Sequence, residues 1–106
     1  MTVKVLGQVA PSATTETDLY EVPVNTETVA SSLVVCNRGA VQGTFRVSVS
    51  VGGGATANKD YLYYDVVAPP NDTFIATIGI TLAEGDVIRV YASNTNFSFN
   101  LFGEES

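Results

Sequence analysis

Apolar and polar residues alternate along most of the chain, most cleanly through Phe45-Arg46-Val47-Ser48-Val49-Ser50-Val51. Successive side chains of a strand point to opposite faces, so this rhythm predicts sheets with one dry face and one wet face. It predicts eight strands: Thr2 to Val9, Asp18 to Val24, Glu27 to Asn37, Gly43 to Val51, Lys59 to Val67, Thr73 to Leu82, Asp86 to Ser93 and Phe97 to Gly103. Clusters of Pro, Gly and Asn punctuate them, as in Ala10-Pro11-Ser12, Asn37-Arg38-Gly39, Ala68-Pro69-Pro70-Asn71-Asp72, Ala83-Glu84-Gly85 and Asn94-Thr95-Asn96.

The strands differ in how they use their faces. In the second, Tyr20, Val22 and Val24 share one face, and Pro23 marks an edge or a strand end. The third is apolar on both faces around Leu33-Val34-Val35-Cys36, as a central strand or a subunit contact would be. The fourth sets Phe45, Val47, Val49 and Val51 inward against Thr44, Arg46, Ser48 and Ser50 outward. Gly52-Gly53-Gly54 then opens a loop expected to be mobile unless a partner orders it. The sixth places Phe74, Ala76, Ile78, Ile80 and Leu82 on one face, and the tail Glu104-Glu105-Ser106 should be solvated. No segment carries the 3.6-residue apolar period of a helix.

Short strands with tight turns and no helices predict an all-β fold. Eight of them in about 100 residues suit an antiparallel sandwich of jelly-roll type. The alternative is an immunoglobulin-like sandwich, here without its Cys–Trp–Cys signature. With 106 residues and no shift in composition, residues 1–106 form a single β-sandwich domain.

Composition narrows the function. Charged residues are 15% of the chain against 45% hydrophobic ones, and an average soluble protein carries about 25% charge. Some of the surface is therefore expected to be covered by neighbours. The net charge is −6, and the five basic residues, Lys4, Arg38, Arg46, Lys59 and Arg89, are scattered. A phosphate-binding face needs them clustered, so no nucleic-acid contact is expected. No apolar run is long enough to span a membrane as a helix, and Met1-Thr2-Val3-Lys4-Val5 does not read as a signal peptide. The single cysteine, Cys36, has no partner and reads as a small buried hydrophobe.

Candidate chemistry is sparse. Without His and with one Cys, a catalytic zinc site would need carboxylates alone, and the acidic residues lack calcium-loop spacing. Asp60 and Asp65 stand five positions apart, which on one continuous strand puts them on opposite faces and weakens them as a glycosidase-type acid/base pair. Glu84-Gly85-Asp86 reads as a tight turn in which Gly takes positive φ and Asp satisfies turn amides. Gly52-Gly53-Gly54 is no phosphate loop, because no Lys-Ser/Thr and helix follow. Asn71-Asp72-Thr73 matches the glycosylation pattern without an export signal. The expectation is a protein that is not an enzyme, with no catalytic residue, no cofactor and no metal.

The remaining candidate is Tyr61-Leu62-Tyr63-Tyr64-Asp65. On a regular strand Tyr61 and Tyr63 share one face, and Tyr64 lies with Leu62 on the other. Tyrosine buries area while keeping a polar tip, which suits an interface. Tyr61, Tyr63 and Tyr64 are therefore the expected subunit-interface residues, with core packing and a sugar-stacking platform (Tyr61 or Tyr63 with Asp60) as the other readings.

Two stretches, Leu19-Tyr20-Glu21-Val22-Pro23 and Val34-Val35-Cys36-Asn37-Arg38-Gly39, resemble small virion proteins of tailed bacteriophages, especially those of cyanobacterial and other marine hosts. Tyr61 to Asp65, Asn71-Asp72-Thr73-Phe74 and Leu82-Ala83-Glu84-Gly85-Asp86-Val87-Ile88-Arg89-Val90-Tyr91-Ala92 extend the likeness over most of the chain. The Leu-x-x-Gly-Asp-x-Ile turn and Phe97-Ser98-Phe99 are also similar to the last strands of trimeric tumour-necrosis-factor/complement-type jelly rolls. The first resemblance implies a virion accessory protein, above all a capsid decoration (cement) protein that stabilises the shell as a homotrimer against the major capsid protein. Its place would be the capsid surface of the virion, after synthesis in the host cytoplasm. The alternative it implies is a tail, neck or fibre-associated module for host recognition or carbohydrate binding.

Overall fold

The computed structural model describes residues 2–106. Its strands are β1 (Thr2–Val9), β2 (Thr17–Glu21), β3 (Thr28–Asn37), β4 (Gly43–Ser50), β5 (Tyr61–Ala68), β6 (Asp72–Ala76), β7 (Ile80–Leu82), β8 (Val87–Ala92) and β9 (Phe97–Glu105). Among the described residues the only helical pieces are single 3₁₀ turns at Val51–Gly53 and Asn58–Asp60. All strand pairs are antiparallel. Sheet A runs β1-β9-β3-β6, with β7 also paired to β3, and sheet B runs β2-β8-β4-β5. The all-β sandwich of two packed antiparallel sheets read from the alternation is the architecture of the protein.

The core lies between the sheets. Phe45, Leu33, Phe97, Phe99, Ile88 and Leu101 are its largest wholly buried side chains. Phe45 sits at the centre, with ring centroids 5.3 Å from Phe74 and 6.2 Å from Phe99. Each such side chain contributes about 1.5–3 kcal/mol over an exposed one. β3 is central as expected, flanked by β9 on one side and by β6 and β7 on the other.

Several expectations need correction. The sixth strand is two, because after Ala76 the chain bends through Gly79 at φ +56°. There the Ile78 and Gly79 amides both turn to the Ser31 carbonyl, beside a bulge in β3 between Ala30 and Ser32. The apolar period runs on through Ile78, so a count of alternation does not see the break. The fifth strand starts at Tyr61 because Asn58–Asp60 curls into a 3₁₀ turn. In β4, Phe45 and Val47 point inward, but Ser48 and Ser50 are also buried and Val51 is 78% exposed. The loop after Ser50 folds back over the outer face of sheet B and covers the serines. Val24 is exposed too, since β2 ends at Glu21 before Pro23. Cys36 is half-buried on the outer face of sheet A, because Leu33, Val35 and Asn37 take the inward positions of β3. Glu104 and Glu105 are not a free tail; they complete β9.

A polar clasp holds one end of the sandwich together. The Tyr20 hydroxyl hydrogen-bonds the Thr28 hydroxyl (2.7 Å) and donates to the Glu105 carboxylate, which also accepts from Lys4 Nζ at 3.1 Å. Four strands from both sheets meet there. Burial, and then the Glu105 carboxylate, push the Tyr20 pKa from 10.0 up to about 12. The Tyr20 hydroxyl, and then Lys4, hold the Glu105 pKa below the ordinary glutamate value. Close by, β1 crosses β2 so tightly that a side chain on Gly7 would strike the Leu19 carbonyl.

Candidate functional site

The tyrosine strand does not keep the regular alternation. β5 pairs with β4 as Phe45↔Val66, Val47↔Tyr63 and Ser48↔Tyr61, with register breaks on both sides of Val47. Each break gives β5 an extra residue, and an extra residue reverses the faces that follow. Tyr61, Tyr64 and Val67 therefore lie on the outer face of sheet B, and Tyr63 turns inward. This corrects the expected grouping of Tyr61 with Tyr63. Tyr63 packs in the core, 5.4 Å from Phe74 and 6.3 Å from Phe45 by ring centroids. Asp65 absorbs part of the distortion at φ +50°, a left-handed conformation uncommon outside glycine.

On the outer face the misregistered strand completes a ladder. Arg46 of β4 faces Tyr91 of β8 across the strands. Its guanidinium lies 4.3 Å from the centroid of Tyr91 and 4.3 Å from that of Tyr64. Arg46 Nε donates to Asp65 Oδ1 at 2.7 Å, and this bond raises the arginine pKa above its ordinary value. Tyr61 meets Tyr64 edge-to-face with centroids 4.9 Å apart. The order is Tyr91, Arg46, Tyr64, Tyr61. Alternation alone puts Arg46 and Tyr91 outward, but the bulges that bring Tyr64 beside them leave no mark in the residue types.

The rest of this face is held by Arg89 and the glycine loop. Arg89 donates to Asp18 Oδ1 (2.9 Å), Ser50 Oγ (3.0 Å), Thr56 Oγ1 (3.1 Å) and the carbonyls of Gly54 (2.7 Å) and Gly53 (3.2 Å). The Gly52 amide donates to Asp86 Oδ1 at 2.9 Å. The loop thus finds its ordering partner inside the chain, with Gly52 and Gly53 at positive φ to allow it. Asp86 also accepts from the Ala83 amide (2.9 Å) with Gly85 at φ +85°, as the turn reading of Glu84-Gly85-Asp86 requires.

The carboxylates considered for acid/base work are engaged separately. Asp60 accepts from the Ala57 amide (2.9 Å) and Lys59 Nζ (3.1 Å), which hold its pKa below the ordinary aspartate value, the amide more than the lysine. Asp65 serves Arg46. Among the described residues no group of three or more His, Cys, Asp or Glu converges as metal ligands would.

The outer face of sheet A is built differently. By register its outward positions are Val3, Val5 and Gln8 on β1, Ser98, Asn100, Phe102 and Glu104 on β9, Val29, Ser32, Val34 and Cys36 on β3, Thr73 and Ile75 on β6, and Thr81 on β7. Val3 is 81% exposed and Ile75 68%, and Val5 and Val29 are exposed as well. Glu104 is the one ionisable acid or base in this set, in a chain with eleven acidic and five basic residues. A hollow of about 210 Å³ lies between Val3, Val29, Ser31, Gly103 and Glu104. Among the described residues no ion pair covers these positions; the polar side-chain contacts there are Gln8 Nε2 to Asn100 Oδ1 at 2.7 Å and Ser31 Oγ to the Phe102 carbonyl at 3.2 Å.

Comparison of the chain with models of known families, with curated proteins and with solved structures finds no match.

Proposed function

We propose that the protein is a non-enzymatic assembly module, a virion accessory protein of capsid-decoration type that works as a homo-oligomer on the shell of a tailed phage. The observation that carries the reading is the outer face of sheet A, which leaves Val3, Val5, Val29 and Ile75 in solvent with one carboxylate among them. Exposed apolar side chains gathered on one weakly charged face are a mark of an interaction site. A molecule of net charge −6 repels its copies less where charge is sparse, as it is on this face. The broad side of the domain measures 42 by 27 Å, enough for the ~800 Å² per partner of a standard interface. The trimer and the major capsid protein as partner rest on the resemblance to phage virion proteins.

The strand order supports the finer fold assignment. Successive strands pass between the sheets except at β4 and β5, which pair with each other in sheet B; the first strand pairs with the last, and β6 with β7 count as one interrupted strand. This order favours the eight-stranded jelly-roll reading over the immunoglobulin alternative, which keeps its first two strands in one sheet. Peptide mass analysis of purified particles from the phage that encodes the chain tests the virion assignment. The protein is expected as a stoichiometric component, and its absence from the particles overturns the reading.

A further inference from the structure

With sheet A turned to its neighbours, the face left to solvent is that of sheet B, and its ladder is unfinished. Arg46 caps one face of Tyr64, yet Tyr64 is 57% exposed. β5 is the edge strand of sheet B, so the rest of the ring looks out over the sheet edge. Tyr61 stands against it at 79°, forming a corner. The hydroxyls of Tyr61, Tyr64 and Tyr91 make no hydrogen bond within the protein among the described residues, while Arg46, Arg89 and Asp86 are paired with protein groups. The Asp65 side chain is 44% exposed beside them. A partly exposed aromatic ring, set against a second one, thus meets free phenol hydroxyls and a carboxylate edge.

We propose that this corner is a binding site for a pyranose ring of a neutral glycan. A hexose has an apolar face of C–H groups that packs on an aromatic ring, and a rim of hydroxyls that must be hydrogen-bonded when they leave water. Tyr64 supplies the ring, Tyr61 the wall, and Asp65 with the phenol hydroxyls supplies acceptors and donors at the rim. The charge balance selects a neutral sugar, because Arg46 is already neutralised by Asp65 and the domain as a whole is acidic. An open, shallow site holding one ring binds weakly, with Kd on the order of millimolar. The site depends on the assembly reading only in that sheet B stays uncovered, and its test does not depend on assembly.

The test is NMR of the intact chain with methyl glycosides of glucose, galactose, mannose and N-acetylglucosamine at up to about 50 mM, a range set by that affinity. The expected result is that at least one glycoside shifts the Tyr64 and Tyr61 ring signals in a saturable way and leaves Tyr20 and Tyr63 unmoved. Tyr64→Ala should weaken that binding at least about tenfold. Tyr64→Leu, which keeps the bulk of the surface but removes the flat ring, should do the same if Tyr64→Ala fails to fold. Ring signals that respond to none of the four glycosides overturn the proposal and leave the corner to a protein partner. Binding that survives in a folded Tyr64 variant overturns it as well.

Discussion

The two outer faces of the sandwich come from the same alternating strands, but they satisfy themselves in different ways. Sheet B covers much of its own outside, leaving Tyr64 and Val67 exposed at its β5 edge. Arg46 is stacked between Tyr64 and Tyr91, Arg89 straps the glycine loop across Ser48 and Ser50, and the arginines are neutralised by Asp65 and Asp18. Sheet A leaves valines and an isoleucine uncovered and carries almost no charge. Face B therefore contributes to the stability of the single chain, whereas face A, on the assembly proposed above, contributes to binding a neighbour. Substitutions on B should cost stability, and substitutions on A should cost association.

The largest stability effect is expected at Arg89. Its side chain is 15% exposed and donates to five groups, so Arg89→Met should lose about 3 kcal/mol in urea unfolding. A loss below about 0.5 kcal/mol, the level of an ordinary surface change, would show that the loop is not held by this residue.

Tyr20→Phe probes the clasp that joins the faces and should cost about 1–2 kcal/mol. It should also change the pH profile of stability. Folded Tyr20 keeps its proton up to about 12, while the unfolded tyrosine ionises near 10.0, so wild-type stability falls as pH rises between those values. The fall attributable to Tyr20 is about 3 kcal/mol across that window, and it should vanish in the variant. At the acid end the folded pKa values of Glu105 and Asp60 lie below their unfolded ones. Stability is then lost as pH drops through the carboxylate range, and removing the Tyr20 hydroxyl should shrink the Glu105 share. Unfolding curves from pH 3 to 12 would decide both.

Arg46→Met removes the middle rung of the ladder and should cost about 1 kcal/mol, the scale of two exposed cation–π contacts with a partly exposed ion pair. The smallest stability effects belong to sheet A. Val3→Asp and Ile75→Asp should change unfolding of the dilute chain by less than about 0.5 kcal/mol, while association weakens at least about tenfold. A Val3→Asp variant that unfolds easily and still associates would invert the comparison.

What could be read in the chain divides along the same line. On sheet A the centre of β3, apolar on both faces around Val34, was legible. Val3, Val5, Val29 and Ile75 were not singled out, because alternation gives the face of a residue but not whether that face is covered. The break at Gly79 was hidden because Ile78 continues the apolar period. The face of sheet B was legible only in part. Arg46 follows from the rhythm of β4, but Tyr64 reaches it through two bulges in β5, and bulges are set by pairing register with β4. Ser48 and Ser50 looked like solvent positions because the folding back of the loop through Gly53, Gly54 and Thr56 onto Arg89 carries no local signature. Arg89 and Asp86, the residues that hold that loop, sit more than thirty positions away. The turn at Glu84-Gly85-Asp86, by contrast, was fully readable, because its chemistry is local.

The central claim is that the outer face of sheet A is covered by further copies of this chain. Multi-angle light scattering of the wild-type chain and the Val3→Asp/Ile75→Asp double variant, from micromolar to millimolar concentration, tests it most directly. The account predicts a wild-type mass that is a multiple of 11.2 kDa, threefold for the trimer, and a double variant that remains at 11.2 kDa with an unchanged fold. A wild-type chain that stays at 11.2 kDa throughout, or a double variant that assembles as well as the wild type, would contradict it.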